Sequence, residues 1–389
     1  MGEEPLGRVD EVGWVAEVLP ESISREAERV ARRFSRVKGE VLRIREELLR
    51  RLSPPRLHRV GEAPLRLCAV AVDTSFTSPP IELTGGKLGI VFRAAVSFGT
   101  CRSTRVMDHS ALVKFIEGEE SRVSVISKIV ERSYVLEMLR RKEEGVEDFD
   151  LVIIDGDLVP RIPPGLIVRA SGEGGLPSLY RGLIELSAKV FKLAAKTGTS
   201  LVGVLKRTYG RDIPVLLGVL DLKVSDKALA TYMLKQGEWI DLGNYGLVIR
   251  SLRRAASSCS GCGEGVKQRL RWLRNISSYI KAVPEVELAI YKPVTPTYFS
   301  IATKTEVMLA GGISKEDLVA FLATITSQNG VPYPVDVVDR LSGIRREVML
   351  VAQQQLYLNL AKLLGDEVLA MSIAGLTNPE KMWSIGFRR

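Results

Sequence analysis

Histidine and cysteine are scarce in this chain: His58 and His109 are its only histidines, and it holds four cysteines in 389 residues. Neither histidine has the spacing of a metal-ligand pair. Cys259-Ser260-Gly261-Cys262 is a lone C-x-x-C, whereas a structural zinc site needs four ligands. Cys68 lies within one apolar run and Cys101 follows another, so neither completes such a set. The pair at 259 and 262 reads as a local disulfide or two free thiols. Long apolar runs are missing too, since no stretch reaches the roughly 18 residues of a membrane span. The opening Met1-Gly2-Glu3-Glu4 lacks the basic and apolar regions of a secretory signal. A soluble, cytoplasmic protein without membrane contact is the expectation. No G-x-x-x-x-G-K-S/T loop follows the glycine cluster at 172–175, which argues against an intrinsic ATPase.

What the chain does have is apolar bulk and positive charge. Hydrophobic residues make up 46% of it, enough for a sizeable core. Lys+Arg 55 against Asp+Glu 46 leaves a formal charge of +9. A basic surface gains affinity for polyanions by releasing their counterions, so nucleic acid is the first partner to consider.

Residues 22–52 have Val30, Phe34, Val37, Val41, Ile44 and Leu48 at spacings of three or four, the stripe of a long helix, which Pro54 and Pro55 end. The apolar run 65–72 reads as a buried strand stopping at Asp73-Thr74-Ser75, followed by strands at 88–98 and 103–106. A helix over 121–141 precedes a strand at 151–154, which ends at Asp155-Gly156-Asp157. Residues 183–196 read as helix, with strands at 201–206, 215–222, 286–291 and 298–302. Ser225 is a helix N-cap, 253–267 an exposed loop, and 335–364 one long helix. Residues 1–60 are thus an N-terminal helical arm. Residues 61–389 form one α/β domain, a mixed sheet flanked by helices, with an insertion around 250–285.

The acids carry the chemistry. Asp73 and Asp155 stand at strand ends, Glu131 and Glu137 on the helix between them, and Asp336 and Asp339 at the start of the late helix. Strand ends on one sheet edge, capped by a helix, can bring three or four carboxylates together. Such an oxygen-rich cluster selects hard cations such as Mg²⁺ and Mn²⁺ and repels itself without one. Two such ions suit phosphodiester hydrolysis. Lys206 and Arg207, just past a strand end, could contact backbone phosphates.

Three motifs resemble the NurA nuclease family. Ala71-Val72-Asp73-Thr74-Ser75 is similar to the family's A-V-D-G-S, and Ile154-Asp155-Gly156-Asp157-Leu158 to its I-D-G-S-L. Val331-Pro332-Tyr333-Pro334-Val335, followed by Val338-Asp339, is similar to its late Y-P-Y-P-L-x-x-A-H. Val204-Leu205-Lys206-Arg207 and Ser225-Asp226-Lys227 are weaker echoes. The resemblance spans about 65–345 and implies an RNase H-like fold and a homodimer. It further implies Mn²⁺-dependent (or Mg²⁺-dependent) exo- and endonuclease activity on DNA, a hexameric HerA-type ATPase partner, and a role in processing DNA ends for recombination repair. By position, Asp73 and Asp155 would hold metal, with Asp339 as a further ligand or proton-handling group. One helix glutamate completes the set. Glu137, nearer in sequence to Asp155, is preferred to Glu131. Asp339 replaces the family's His, which suits a fourth metal ligand, while Thr74 replaces its Gly and Val331 its Tyr. These last two departures support the alternative of a catalytically weak or inactive DNA-binding scaffold dimer. The aromatic and basic end, 383–389, either packs on the core or touches the translocase.

Overall fold

The apolar runs around Val70, Ile153 and Val202 become three adjacent parallel strands, buried on both faces as a parallel sheet requires. The structure, a computed structural model, describes residues 11–63, 66–102, 105–117, 121–163, 175–206, 210–258, 264–296 and 301–377. Arg207, Cys259, Cys262, most of the 172–175 cluster, the start of the strand expected at 298–302 and the end at 383–389 lie outside the described residues.

Residues Met1–Arg51 and Leu52–Arg389 form two compact units. The first is helix α1 (Glu11–Arg50), which begins well before residue 22 and continues through Pro20. Pairs such as Arg25–Glu21 and Arg43–Glu40 join successive turns along its surface, each worth about 0.3–0.5 kcal/mol.

The second unit opens with β1 (Arg56–Arg59), β2 (Cys68–Phe76), β3 (Ile81–Leu83), β4 (Gly86–Gly99) and β5 (Val106–Ile116). Then come α2 (Ser121–Glu143), β6 (Leu151–Asp155), α3 (Gly175–Lys196), β7 (Ser200–Leu205), α4 (Asp212–Leu217) and α5 (Asp226–Met233). The chain continues with β8 (Glu238–Asn244), α6 (Tyr245–Ser258), α7 (Glu264–Tyr279), β9 (Glu287–Tyr291) and β10 (Thr303–Met308). It closes with α8 (Lys315–Thr324), α9 (Tyr333–Ser342), α10 (Arg346–Leu364) and α11 (Glu367–Ala374). The strands form one mixed sheet in the order β1-β8-β9-β10-β7-β6-β2-β4-β3, with β5 on β4. β2, β6 and β7 run parallel, and the pairings at both flanks are antiparallel. Ala71, Ile153 and Val204 pack with Phe321 and Leu322 of α8 and with Val335 and Val338 of α9. Cys68 and Cys101 are joined by a disulfide, a pairing the sequence did not suggest.

Four expectations need correction. Residues 215–222 are not a strand: Pro214 suits a first helical turn, and Gly218 closes α4 in the left-handed conformation at φ 73°. The loop expected at 253–267 is mostly helix, the end of α6 and the start of α7. The late helix is two helices, because the chain turns extended at Gly343. The strand placed at 103–106 is β5, which starts at Val106 and pairs along β4. Among the described residues, no helix is long and apolar enough to cross a membrane.

Candidate metal centre

The parallel strands β6 and β7 end at one sheet edge, where Asp155 is the last residue of β6 and Lys206 follows β7. Asp73 reaches this edge from within β2, which runs on to Phe76, so it is a strand residue rather than a turn former. α9 buries Val335 and Val338 against the sheet, and the next residue, Asp339, emerges beside them. Among the described residues, Asp73, Asp155 and Asp339 each offer a carboxylate oxygen, all within 4.8 Å of one another. Asp73 is buried, Asp155 half-buried and Asp339 exposed, so the cluster has a closed floor and an open mouth.

Each acid is held by neighbours. Ser342 at the end of α9 donates its hydroxyl to Asp73 Oδ2 at 2.6 Å, while its carbonyl accepts from the Ser75 hydroxyl. Lys206 Nζ lies 2.6 Å from Asp155 Oδ2 and 2.7 Å from Asp339 Oδ2. The carbonyl of Lys206 accepts in turn from Lys227 Nζ at 2.6 Å, which brings the two weaker sequence echoes together. Ser225 caps α5 as expected.

Glu131 faces this site from α2. Ser127, one turn earlier, donates its hydroxyl to Thr74 Oγ1 at 2.8 Å, which presses α2 onto β2 and gives Thr74 a role where the motif has glycine. One turn on, Glu131 is buried, and its Oε1 accepts from Arg132 Nη1 at 2.9 Å. Arg132 also donates to the carbonyl of Asp157, in the loop after Asp155. Glu137 is not brought to the cluster. It lies six residues further on, about 240° around the helix, and is exposed. Asp336 is also apart, engaged by Asn329 and Arg340.

Sequence reasoning missed the support behind Asp155. Glu306 of β10, fully buried, accepts from the backbone N–H groups of Leu158 and Val159 at 2.8 and 2.9 Å and from the Tyr245 hydroxyl. At Gly203 of β7 this loop comes so close that a Cβ would lie 2.6 Å from the Leu158 nitrogen. Beside it, Lys304 joins Asp212 and Asp226 at 2.5 and 2.6 Å in a buried ion network. The only signal was two charges alternating with threonine in Thr303-Lys304-Thr305-Glu306, where an apolar strand would be expected.

The electrostatics are those of a cation site. Burial raises the pKa of Asp73. Burial and the Asp73 charge push Asp155 up to about 6. Burial pushes Glu131 up to about 8 against the opposing charge of Arg132, with Asp73 and Asp155 adding to the rise. Burial acts to lower Lys206, but Asp155 and Asp339 overcome it and hold the ammonium above its ordinary value. An all-oxygen donor set of crowded carboxylates fits Mg²⁺ or Mn²⁺, with Asp73, Asp155 and Asp339 able to hold it and the buried Glu131 close enough to feel the charges of Asp73 and Asp155.

A stability prediction follows. With its folded pKa near 8 against 4.5 unfolded, Glu131 keeps a proton that the unfolded chain releases. Stability of the metal-free protein therefore falls as pH rises from about 4.5 to about 8, by about 5 kcal/mol for this group. A bound cation replaces those protons. The rise in melting temperature on adding Mn²⁺ should thus be larger at pH 8 than at pH 5.5. An equal rise at both pH values would contradict this.

Comparison with known proteins gives a fold. No protein-family model and no curated protein sequence matches the chain. Among solved structures, the NurA nuclease from Sulfolobus solfataricus aligns with a TM-score of 0.55 at 10% identity, covering 87% of this chain and 98% of that one. A structure of NurA bound to dAMP and manganese aligns with a TM-score of 0.46 at 11% identity, covering 84% and 94%. The chain has the mixed α/β, RNase H-like fold of the NurA nuclease.

Proposed function

We propose that this chain, with the fold of the NurA nuclease, is a divalent-metal-dependent nuclease that hydrolyses DNA phosphodiesters at the cluster of Asp73, Asp155, Asp339 and Glu131. The observation that carries the reading is the meeting of Asp73, Asp155 and Asp339, from three separate stretches of chain, at the end of the parallel strands. Mn²⁺ or Mg²⁺, if held by these acids, would supply the positive charge that stabilises the attacking and leaving oxygens. Ser342 orients Asp73, and Arg132 and Glu306 fix the loop that carries Asp155. The motifs support the finer reading: a homodimer processing DNA ends for recombination repair with a HerA-type hexameric ATPase. Incubating the protein with end-labelled single- and double-stranded DNA, with and without Mn²⁺, tests it. Cleavage only with Mn²⁺, or with Mg²⁺ in a parallel arm, supports it, and no cleavage with either cation would overturn it. An RNA arm matters because the carboxylates address the phosphodiester and not the sugar.

One observation favours a second reading, a weak or inactive DNA-binding scaffold. Lys206 already bridges Asp155 and Asp339, as an internal counter-ion would. In the enzyme reading, Lys206 yields the carboxylates to the cation and turns to the substrate phosphate. Lys206→Met should then tighten Mn²⁺ binding measured by calorimetry, because a competing charge is gone, while slowing cleavage about 10²-fold. Unchanged cleavage would remove Lys206 from the mechanism.

A further inference from the structure

The chain's positive charge is concentrated in one helical pair. Residues 245–279, which are α6, α7 and their link, contain seven Lys/Arg against a single acid, Glu264, a net +6 within a chain of formal charge +9. The two helices bury Val248, Leu252, Leu273 and Ile276. The opposite faces expose Arg250 and Arg253 on α6, and Lys267, Arg271 and Arg274 on α7. Spacings of three and four place each set in one stripe. Arg271 is engaged only loosely, 3.7 Å from Glu264.

This pair is tied to the loop that leads away from Asp155. The Trp272 indole N–H donates to the carbonyl of Pro160 at 3.1 Å, docking α7 on the loop that follows Asp155. In the same loop, Arg161 Nε lies 2.8 Å from Asp157. A cleft of about 330 Å³ separates α7 from the chain after β6 and β7, lined by Arg161, Gly210, Gln268, Arg269 and Trp272. The cleft therefore lies against the loop that follows Asp155, and the basic stripes run along the same two helices.

We propose that the α6–α7 pair is the track for the nucleic-acid strand, its exposed cations gripping consecutive backbone phosphates on the way to or from the acidic cluster. The inference rests on the nuclease reading. Within residues 245–279 Glu264 is the one acid, and Arg269 is paired with Asp212. The exposed cations that remain are spaced along helices, which suits a repeating anion better than an acidic protein patch of fixed geometry.

The test uses the full chain with Asp73→Asn and fluorescently labelled single- and double-stranded DNA. Arg253→Gln, Lys267→Gln and Arg274→Gln are combined, since all three side chains are exposed. The triple variant should bind at least about tenfold more weakly near 0.1 M salt. Its slope of log affinity against log salt should fall by about 2 to 3, roughly one per lost phosphate contact. Unchanged affinity and slope would overturn the track. So would unchanged DNA binding with loss of self-association or of a protein partner, which would make this a protein contact. Should the triple variant not fold, Lys267 of the unsubstituted chain serves instead: bound DNA should slow its amine labelling several-fold, and equal labelling would overturn the proposal. Continued cleavage by Asp73→Asn would count against the nuclease assignment alone, because the binding measurement does not depend on it.

Discussion

Replacing Asp73 by alanine is expected to lower metal-dependent DNA cleavage by at least about 10³-fold while leaving the fold intact. Loss of a cation-holding group that supplies about 4 kcal/mol to the transition state gives a factor of that size. The fold should survive because Asp73 is a burden to the metal-free protein: it is buried, and its pKa is raised by that burial and by Asp339. Its hydrogen bond from Ser342 offsets only part of this. The metal-free melting temperature should therefore hold or rise, and the stabilisation by Mn²⁺ should shrink. Near-normal cleavage by Asp73→Ala would remove the residue from the mechanism.

The second large effect separates two glutamates on one helix. Glu131→Gln should reduce cleavage about 10²-fold, whereas Glu137→Gln should stay within about twofold of the unsubstituted protein. With its pKa pushed up to about 8, Glu131 is mostly protonated at neutral pH without metal. Glutamine copies that neutral state and still accepts from Arg132, so a folded variant is expected. The measurement is the cleavage rate under saturating Mn²⁺, and the reverse order of effects would refute the assignment to Glu131.

The choice between these glutamates shows where the sequence was legible and where it was not. Asp73 and Asp155 stand out because uninterrupted apolar runs lead into them, and buried parallel strands leave that mark. Sequence distance favoured Glu137, but helix faces are set by period. Val123, Ser127, Glu131, Val135 and Leu139 form one stripe of buried residues, with Glu131 in its middle. That spacing was present in the sequence and points to Glu131.

Other features depended on tertiary context. The α6–α7 pair was obscured by its Gly/Ser-rich link, although Val248 with Leu252, and Leu273 with Ile276, keep helical spacing. The short apolar run near Val215 fits strand or helix, and its neighbours decided for α4. Glu306 showed in the sequence only as a charge alternating with threonine, because its role arises when β10 pairs with β7 and it faces the loop after Asp155. Thr74 was read as a departure from the motif, yet its hydroxyl contact with Ser127 is what seats α2.

The most direct test of the account is a crystal of the full chain soaked in Mn²⁺, with anomalous scattering used to locate the ion. The account predicts a peak within bonding distance of Asp73 and Asp155, with the Lys206 ammonium moved away from Asp155. A peak elsewhere, or none while Lys206 still bridges Asp155 and Asp339, would contradict it.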